Sequence, residues 1–409
     1  MSRLAPIVVI FTLTAAAYGE TLTWQDCVRE AQTNNPRISE AREALRRSQA
    51  QFYGSLSPFL PAVTAGASAS RSKDSLRSYG LDLSARQNLF AGGGDLADVN
   101  SARSGTTAAQ ADLDAALASV GYDLRSSFSR LLYAEQQLDL SQDIALRRKE
   151  NVRLVGLRYD AGREHKGSYL RSRAAWRQAD FEVAQAKRAL RVAERSLNVV
   201  LGRSLFTVIK ATGTLSADQP QATPDVEALA VNTPAYRRQL AQHRSAKAAL
   251  AKARSAFYPD ISASASTGRR GNDWPPQTDH WSAGLSASLP LFSGGRDYFT
   301  VKSADAGLGS AQAALKETLN EELLTLEDAF AAYQDAFERT QVQDDFLEAA
   351  KVRSEIARGQ YTSGLLSFED WDLIENDLIA NQKSWLAARR EAVIAQAAWL
   401  KAQGEGPLQ

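Results

Sequence analysis

The 409-residue sequence is poor in the residues that carry most chemistry, with one cysteine, one methionine and three histidines. Cys27 stands alone, so no disulfide forms within the chain. His165, His243 and His280 are far apart, and none has a cysteine or second histidine near it, so no metal-ligand spacing appears. Neither sign of charge dominates: 48 Lys and Arg face 47 Asp and Glu, which leaves no basic field for nucleic acid. No nucleophile–base pair and no spaced carboxylate dyad stands out. The glycine clusters of "LFAGGGD" (89–95) and "LFSGGRD" (291–297) lack the lysine that follows a phosphate-binding loop. Neither an enzyme nor a cofactor or metal site is expected. Beyond the first twenty residues, no apolar run approaches the roughly 18–20 residues of a spanning helix.

What is present is helix-forming: Ala, Leu, Arg, Glu, Gln and Ser recur over long stretches. The start reads as an export signal, 1–19, with Arg3, an apolar core from Leu4 to Ala17, and small residues before a cleavage point at Glu20. The alternative is a short buried helix. In an exported protein Cys27 raises the question of a lipid anchor. It follows Trp24-Gln25-Asp26 rather than small residues, however, and reads as a helix residue.

The chain also repeats itself. "NNPRI" (34–38) is echoed by "NTPAY" (232–236), each placing a cap (Asn35, Thr233) before a proline at the first helical position. Pro61 and Pro259 keep the same offset of 198, whereas Leu89 and Leu291, Tyr159 and Tyr361, Gly162 and Gly364, and Gly202 and Gly404 are 202 apart. The four extra residues fall where "GRRGNDWPPQTDH" exceeds its partner "RSKDSLRSY". A constant offset broken once, at a polar loop, reads as tandem duplication, with repeats at 20–212 and 213–409.

Each repeat predicts a short helix (24–33; 224–231), a second helix (36–56; 234–256), a β-hairpin (within 60–90 and 260–292), a glycine corner, and a long helical hairpin (95–201; 297–402). Asp95 and Asp297 read as N-caps of the long helices. The strands alternate, as in Ile261, Ala263, Ala265 and Thr267 with serines between, and run about ten residues, the length of a tilted spanning strand. An ordinary half-buried hairpin fits the same pattern. Leu117, Leu124, Leu131, Leu138, Ala145, Val152 and Tyr159 recur every seven residues, Leu113, Val120 and Phe128 fill the alternate positions, and Leu319, Leu326, Tyr333 and Leu347 keep part of the pattern in the second half, which predicts a coiled-coil seam. Four strands cannot close a membrane barrel, so several copies must pool them. A soluble periplasmic coiled-coil adaptor or chaperone is the competing reading.

Taken together, the duplication, the "NNP" and "NTP" helix starts, the "LFAGG" and "LFSGG" corners, and the turns "RYDAG" and "QYTSG" resemble the TolC-type outer-membrane efflux channels. The resemblance implies a mainly helical protein with some β. Long antiparallel helices would form a periplasmic α-barrel, and four strands per chain would join a trimeric 12-stranded barrel in outer-membrane lipid. It implies a homotrimeric passive duct that docks a periplasmic adaptor and an inner-membrane transporter. The gate would use Tyr361, Asp370, Asp372 and Ser168. Tyr159, Gly162, Gly364, Leu365 and Ser367 would form the docking tips, and Gly92, Gly93, Gly94, Gly294 and Gly295 the strand-to-helix hinges. The family's polar lock is incomplete here: Leu373 holds the place of its second acid, Leu366 that of its arginine, and Ser168 that of the arginine's acidic partner. The first tip is basic (Arg163, His165, Lys166, Arg171, Arg173) and the second acidic (Glu369, Asp370, Asp372), which suggests pairing between neighbouring turns in the closed trimer. Two solvated turns are the alternative.

Overall fold

A computed structural model describes residues 20–72, 75–203, 207–220 and 223–408. The expected export signal, 1–19, lies outside the described residues. Strand β1 (Glu20–Thr23) leads into α1 (Trp24–Asn34) and α2 (Pro36–Gly54). A hairpin of β2 (Ala62–Ser72) and β3 (Ser75–Ala91) follows, then α3 (Gly94–Asp160) and α4 (Lys166–Leu201). After β4 (Ile209–Thr212) the order recurs: α5 (Val226–Ala230), α6 (Pro234–Ser255), β5 (Asp260–Gly271), β6 (Thr278–Ser288), α7 (Arg296–Ser363) and α8 (Phe368–Gln403). Local chemistry explains the starts. Thr23 and Asp26 form a capping box at α1, and Thr233 accepts the Tyr236 N–H ahead of Pro234. Asn35 ends α1 and donates its side-chain amide to the Val200 carbonyl.

The chain divides into two compact units, each drawing on both halves of the sequence. One holds β1, α1, α3 from Asp123 onward, α4, β4, the later part of α7 and α8 as far as Ala397. In it β1 and β4 pair in parallel, Glu20 opposite Ile209. Strands of four residues carry too little alternation to show in the sequence. Trp24 packs edge-on against Phe128 at 5.5 Å, and Cys27 is fully buried, where desolvation pushes its thiol up to about 12. Cys27 is a packed helix residue, as its neighbours in sequence suggest.

The other unit holds α2, β2, β3, α5, β5, β6, α6, the earlier parts of α3 and α7, and the end of α8. Its sheet has the order β2-β3-β5-β6, antiparallel throughout, with β2 and β6 at open edges. Register sorts the side chains by face, because directly opposed residues point the same way. Val63, Ala65, Leu83, Ala85, Ala265 and Ala283 share one face; Thr64, Ser84, Ser264, Ser266, Ser282 and Gly284 share the other. On that polar face Ser266 and Ser282 hydrogen-bond at 2.8 Å, and His280 lies 3.0 Å from Asp82.

The helix seam matches the expected one in part, since Val120 and Phe128 of the alternate row are buried. In the leucine row, Leu124 and Leu131 are buried, Leu138, Ala145 and Val152 only half-buried, and Tyr159 exposed. A neighbouring seven-residue row, Val120, Ser127, Ala134, Ser141, Arg148 and Val155, is buried along its whole length. Ser172, Ala179, Ala186 and Ala193 form its counterpart on α4. This row is buried although serines and alanines give it little apolar signal. Asp95 and Asp297 are likewise corrected: each lies in the first turn rather than at the cap. Their carboxylates accept from Asn88 and Ser293, respectively.

Among the described residues, the eight glycines with positive φ form four pairs 202 residues apart: Gly92 and Gly294, Gly93 and Gly295, Gly162 and Gly364, Gly202 and Gly404. Gly94, expected in the hinge, is instead the first residue of α3 and is not left-handed. At Gly202 (φ 77°) a Cβ would sit 2.2 Å from the Asn34 carbonyl, and at Gly404 (φ 78°) 2.1 Å from Pro234 Cδ. Gly202→Ala and Gly404→Ala should each cost at least ~1–2 kcal/mol from the backbone alone, plus the clash. Gly54→Ala, at a helix end with open space around it, should be near neutral. Thermal melts of the three variants in detergent check the contrast.

Candidate gate at the helical turns

The turns joining α3 to α4 and α7 to α8 lie in the first unit, and each is made by a left-handed glycine. The Gly162 N–H donates to Tyr159 and the Arg163 N–H to Arg158; the Gly364 N–H donates to Tyr361 and the Leu365 N–H to Gln360. Leu365 is exposed at the apex of its turn. Tyr159 is partly exposed and stacks on Tyr169, with centroids 5.8 Å apart and planes 3° apart. Ser367 and Asp370 form a reciprocal cap at α8: Ser367 Oγ accepts the Asp370 N–H and donates to its carboxylate at 2.7 Å. Ser168 is buried in the first turn of α4, and its N–H donates to His165 Nδ1, the helix cap.

Tyr361 is the centre of the site. Its ring is fully buried and stacked on Trp371, centroids 4.3 Å and planes 11° apart, with Phe368 edge-on at 6.4 Å. Arg158 lies over the ring, with Cζ 4.7 Å from the centroid, and its Nη1 donates to the Tyr361 carbonyl at 2.7 Å. The Tyr361 hydroxyl donates to Glu164 Oε2 across to the other turn at 3.0 Å. Burial, and then the charge of Glu164, push the phenol up from its ordinary value, so it remains a donor at physiological pH. Glu164 and Arg158 are not among the expected gate residues. The acid sits in a segment dominated by bases, "GREHKG", where summed charge conceals it.

Asp372 is buried between two arginines of the same chain. Arg148 Nη1 on α3 lies 3.1 Å from its carboxylate, and Arg171 Nε on α4 lies 2.8 Å from it. Arg148 also donates to Asn376 at 2.6 Å. On α7, Ser354 donates to the buried Glu375 of α8 at 2.5 Å. The acid and base of the two tips therefore meet within one chain, and Asp370 is engaged by its own cap. Together these contacts tie both turns into one body. Among the described residues, no group of three His, Cys, Asp or Glu is placed to hold a metal.

A family model for outer membrane efflux proteins matches this chain twice, over residues 27–203 and 226–405. The chain belongs to the outer membrane efflux protein family. Among solved structures of similar fold, CusC superposes with a TM-score of 0.85 at 18% identity, covering 94% of this chain and 92% of that one. VceC from Vibrio cholerae gives 0.82 at 22% identity, covering 94% and 97%. Among curated sequences, the outer membrane efflux protein BepC of Brucella suis is 23% identical over 406 residues, 95% of this chain and 86% of BepC. The toluene efflux pump outer membrane protein TtgI of Pseudomonas putida is 25% identical over 241 residues, 54% of this chain and 50% of TtgI. This member of the efflux family thus spans about half the length of the first curated relatives it matches.

The two arginines at Asp372 should differ in weight. The Arg148 and Asp372 side chains are 7% and 6% exposed, whereas Arg171 is 68% exposed. Asp372→Asn strands a buried guanidinium and should cost ~3–5 kcal/mol. Arg171→Ala removes a solvent-screened partner and should cost ~0–1 kcal/mol. Chemical denaturation of the two variants against the unaltered protein measures the difference.

Proposed function

We propose that three copies of this chain form an outer-membrane channel that serves as the passive exit duct of an efflux or secretion assembly. The observation that carries this reading is the four-stranded sheet, sorted into an apolar and a polar face and left with two open edges. Open edges are not tolerated in lipid, and four strands are too few to close, whereas three copies supply twelve. The apolar face is uncovered in one chain: Val63, Leu83, Trp281 and Leu285 are 65, 48, 79 and 71% exposed. A soluble adaptor or chaperone would pack that face on its own helices, so the exposure favours lipid contact. The serine-rich face would line the water-filled lumen. Among the described residues no helix is long and apolar enough to cross a membrane, which leaves the sheet as the element for lipid.

In this reading residues 20–212 and 213–409 are structural repeats, supported by the recurring element order and glycine pairs. The strand-to-helix corners turn on Gly92, Gly93, Gly294 and Gly295, with Gly94 starting the helix. The long helices lie in the periplasm. Tyr361, Asp372, Asp370 and Ser168 belong to the gate, together with Glu164, Arg158 and Arg148. Tyr159, Gly162, Gly364, Leu365 and Ser367 face a periplasmic adaptor, which couples the duct to an inner-membrane transporter. The named efflux roles of TtgI and BepC support a place in such assemblies.

Purified from the outer membrane in detergent, the protein should be trimeric by light scattering and should conduct ions in planar bilayers. A soluble, detergent-independent monomer overturns the channel reading. Tyr361→Phe removes the bond to Glu164 and should raise single-channel conductance, whereas Tyr169→Phe, outside that bond, should leave it unchanged.

A further inference from the structure

The apolar face of the four-stranded sheet changes character toward the hairpin turns. The helices α2, α3, α6 and α7 join the strands at Ala62, Ala91, Asp260 and Ser288, so the turns lie at the end away from them. Opposed residues set the side chains of this face in rows across the strands. Ala65, Leu83 and Trp281 share one row; the next brings Arg269 opposite Leu81, and the one after brings Tyr79. Tyr79 meets Trp274 of the longer loop edge-on, with centroids 5.9 Å apart. Arg71 and Arg77 come last. Ser70 pairs with Ser78 and Ser72 with Ser75, so two residues of β3, Arg77 among them, sit opposite Arg71. This two-on-one arrangement is a bulge, and it sets the two arginines side by side on neighbouring strands. Alternation puts Arg71 on the face of Ala69 and Arg77 on that of Tyr79, which are themselves paired.

The charge of this pair is not used within the chain. Arg71 and Arg77 are exposed, and among the described residues neither has an acidic partner. The other charges at this end are matched. Arg269 donates from Nε to Asp279 at 2.8 Å. On the polar face Arg270 lies 3.7 Å from Asp82, and His280 lies 3.0 Å from the same carboxylate. A face that runs from alanine and leucine through tryptophan and tyrosine to unpaired arginine follows the order of a membrane boundary, from hydrocarbon through the interface to headgroups.

We propose that Arg71 and Arg77 form a binding site for the phosphate headgroup of an anionic lipid in the outer leaflet. The proposal rests on the channel reading above, which puts the hairpin turns at the outer surface and this face in lipid. A guanidinium presents a planar fork of N–H donors that fits phosphate oxygens, and two forks from adjacent strands can share one headgroup. A sheet fixes the spacing of the two stems, so less freedom is lost on binding than with arginines on a free loop.

The test uses the full-length protein in detergent, lipid A as the phosphorylated probe, and native mass spectrometry to count bound lipid. Dephosphorylated lipid A should bind several-fold more weakly, and inorganic phosphate in large excess should not displace the phosphorylated form. Each arginine near an anionic surface contributes about fivefold, so Arg71→Gln with Arg77→Gln should weaken binding roughly 25-fold. Arg71→Lys with Arg77→Lys keeps the charge and should retain most of the affinity. Arg270→Gln, at the same end but on the polar face, should leave binding unchanged. Equal binding of the two lipid forms, or unaltered binding by the double glutamine variant, removes the site. An equal loss with Arg270→Gln does so too. Displacement by inorganic phosphate means that the pair takes a free anion, and the lipid assignment falls. In each of these cases a trimer by light scattering and its conductance stand. The lipid comparison on the unaltered protein decides even if a variant fails to assemble. A wild-type protein that is a soluble monomer overturns the channel reading and this site together.

Discussion

Backbone hydrogen bonding at the two edges of the four-stranded sheet is the constraint on which the rest depends. Every strand has donors and acceptors on both sides, and β2 and β6 each leave one side unmatched. In water solvent fills that role; in lipid nothing does. An apolar face that a single chain leaves open deepens the problem, because its leucines and Trp281 need an environment as much as the edges need partners. A chain built this way is an incomplete object. Its two edge strands differ, β2 from the first half of the sequence and β6 from the second, and in the proposed assembly copies add in sequence around a ring.

The helices answer a different demand. They run for more than sixty residues without a break, and neither long helix contains a proline to interrupt it. Where the chain must reverse or change from strand to helix, the backbone turns left-handed, and glycine stands at each such point in both halves. At Gly202 and Gly404 the demand is stricter, since backbone or proline atoms occupy the space a Cβ would take. At the turns, stiffness gives way to a polar cluster. The stacked Tyr361 and Trp371, the Glu164 bond and the doubly held Asp372 bind the two tips of a chain through a few contacts. Those few are the ones that must break for the tips to separate.

Much of this was legible in the sequence, and its limits are physical. Element order, the long helices, the hairpins and the glycine corners follow from local signals: alternation in "ISASAST", caps before Pro36 and Pro234, and Gly162 and Gly364 after long periodic runs. The polar members of the buried row were missed because leucine outweighs serine in any hydrophobic pattern. Yet Ser127, Ser141 and Arg148 are buried, and their partners lie far away in sequence. Of the cluster at the helical turns, Tyr361 and the acids after it were singled out through resemblance, as residues of a proposed gate. Glu164 was hidden among bases, and Arg148 lay in mid-helix with nothing nearby to mark it.

The sequence by itself determined the elements, their duplication and the places where the chain bends, because these depend on neighbours along the chain. It also set the balance of charge on each helix, basic along α4 and acidic along α7. Only the tertiary structure decided which acid meets which base. Asp372 lies 224 residues from Arg148 and 201 from Arg171, and no local pattern selects such partners. Only the strand register, likewise, showed that the alanines and leucines of four separate strands fall on one face and the serines on the other. Alternation within a strand fixes two faces, but the pairing between strands decides which of them coincide.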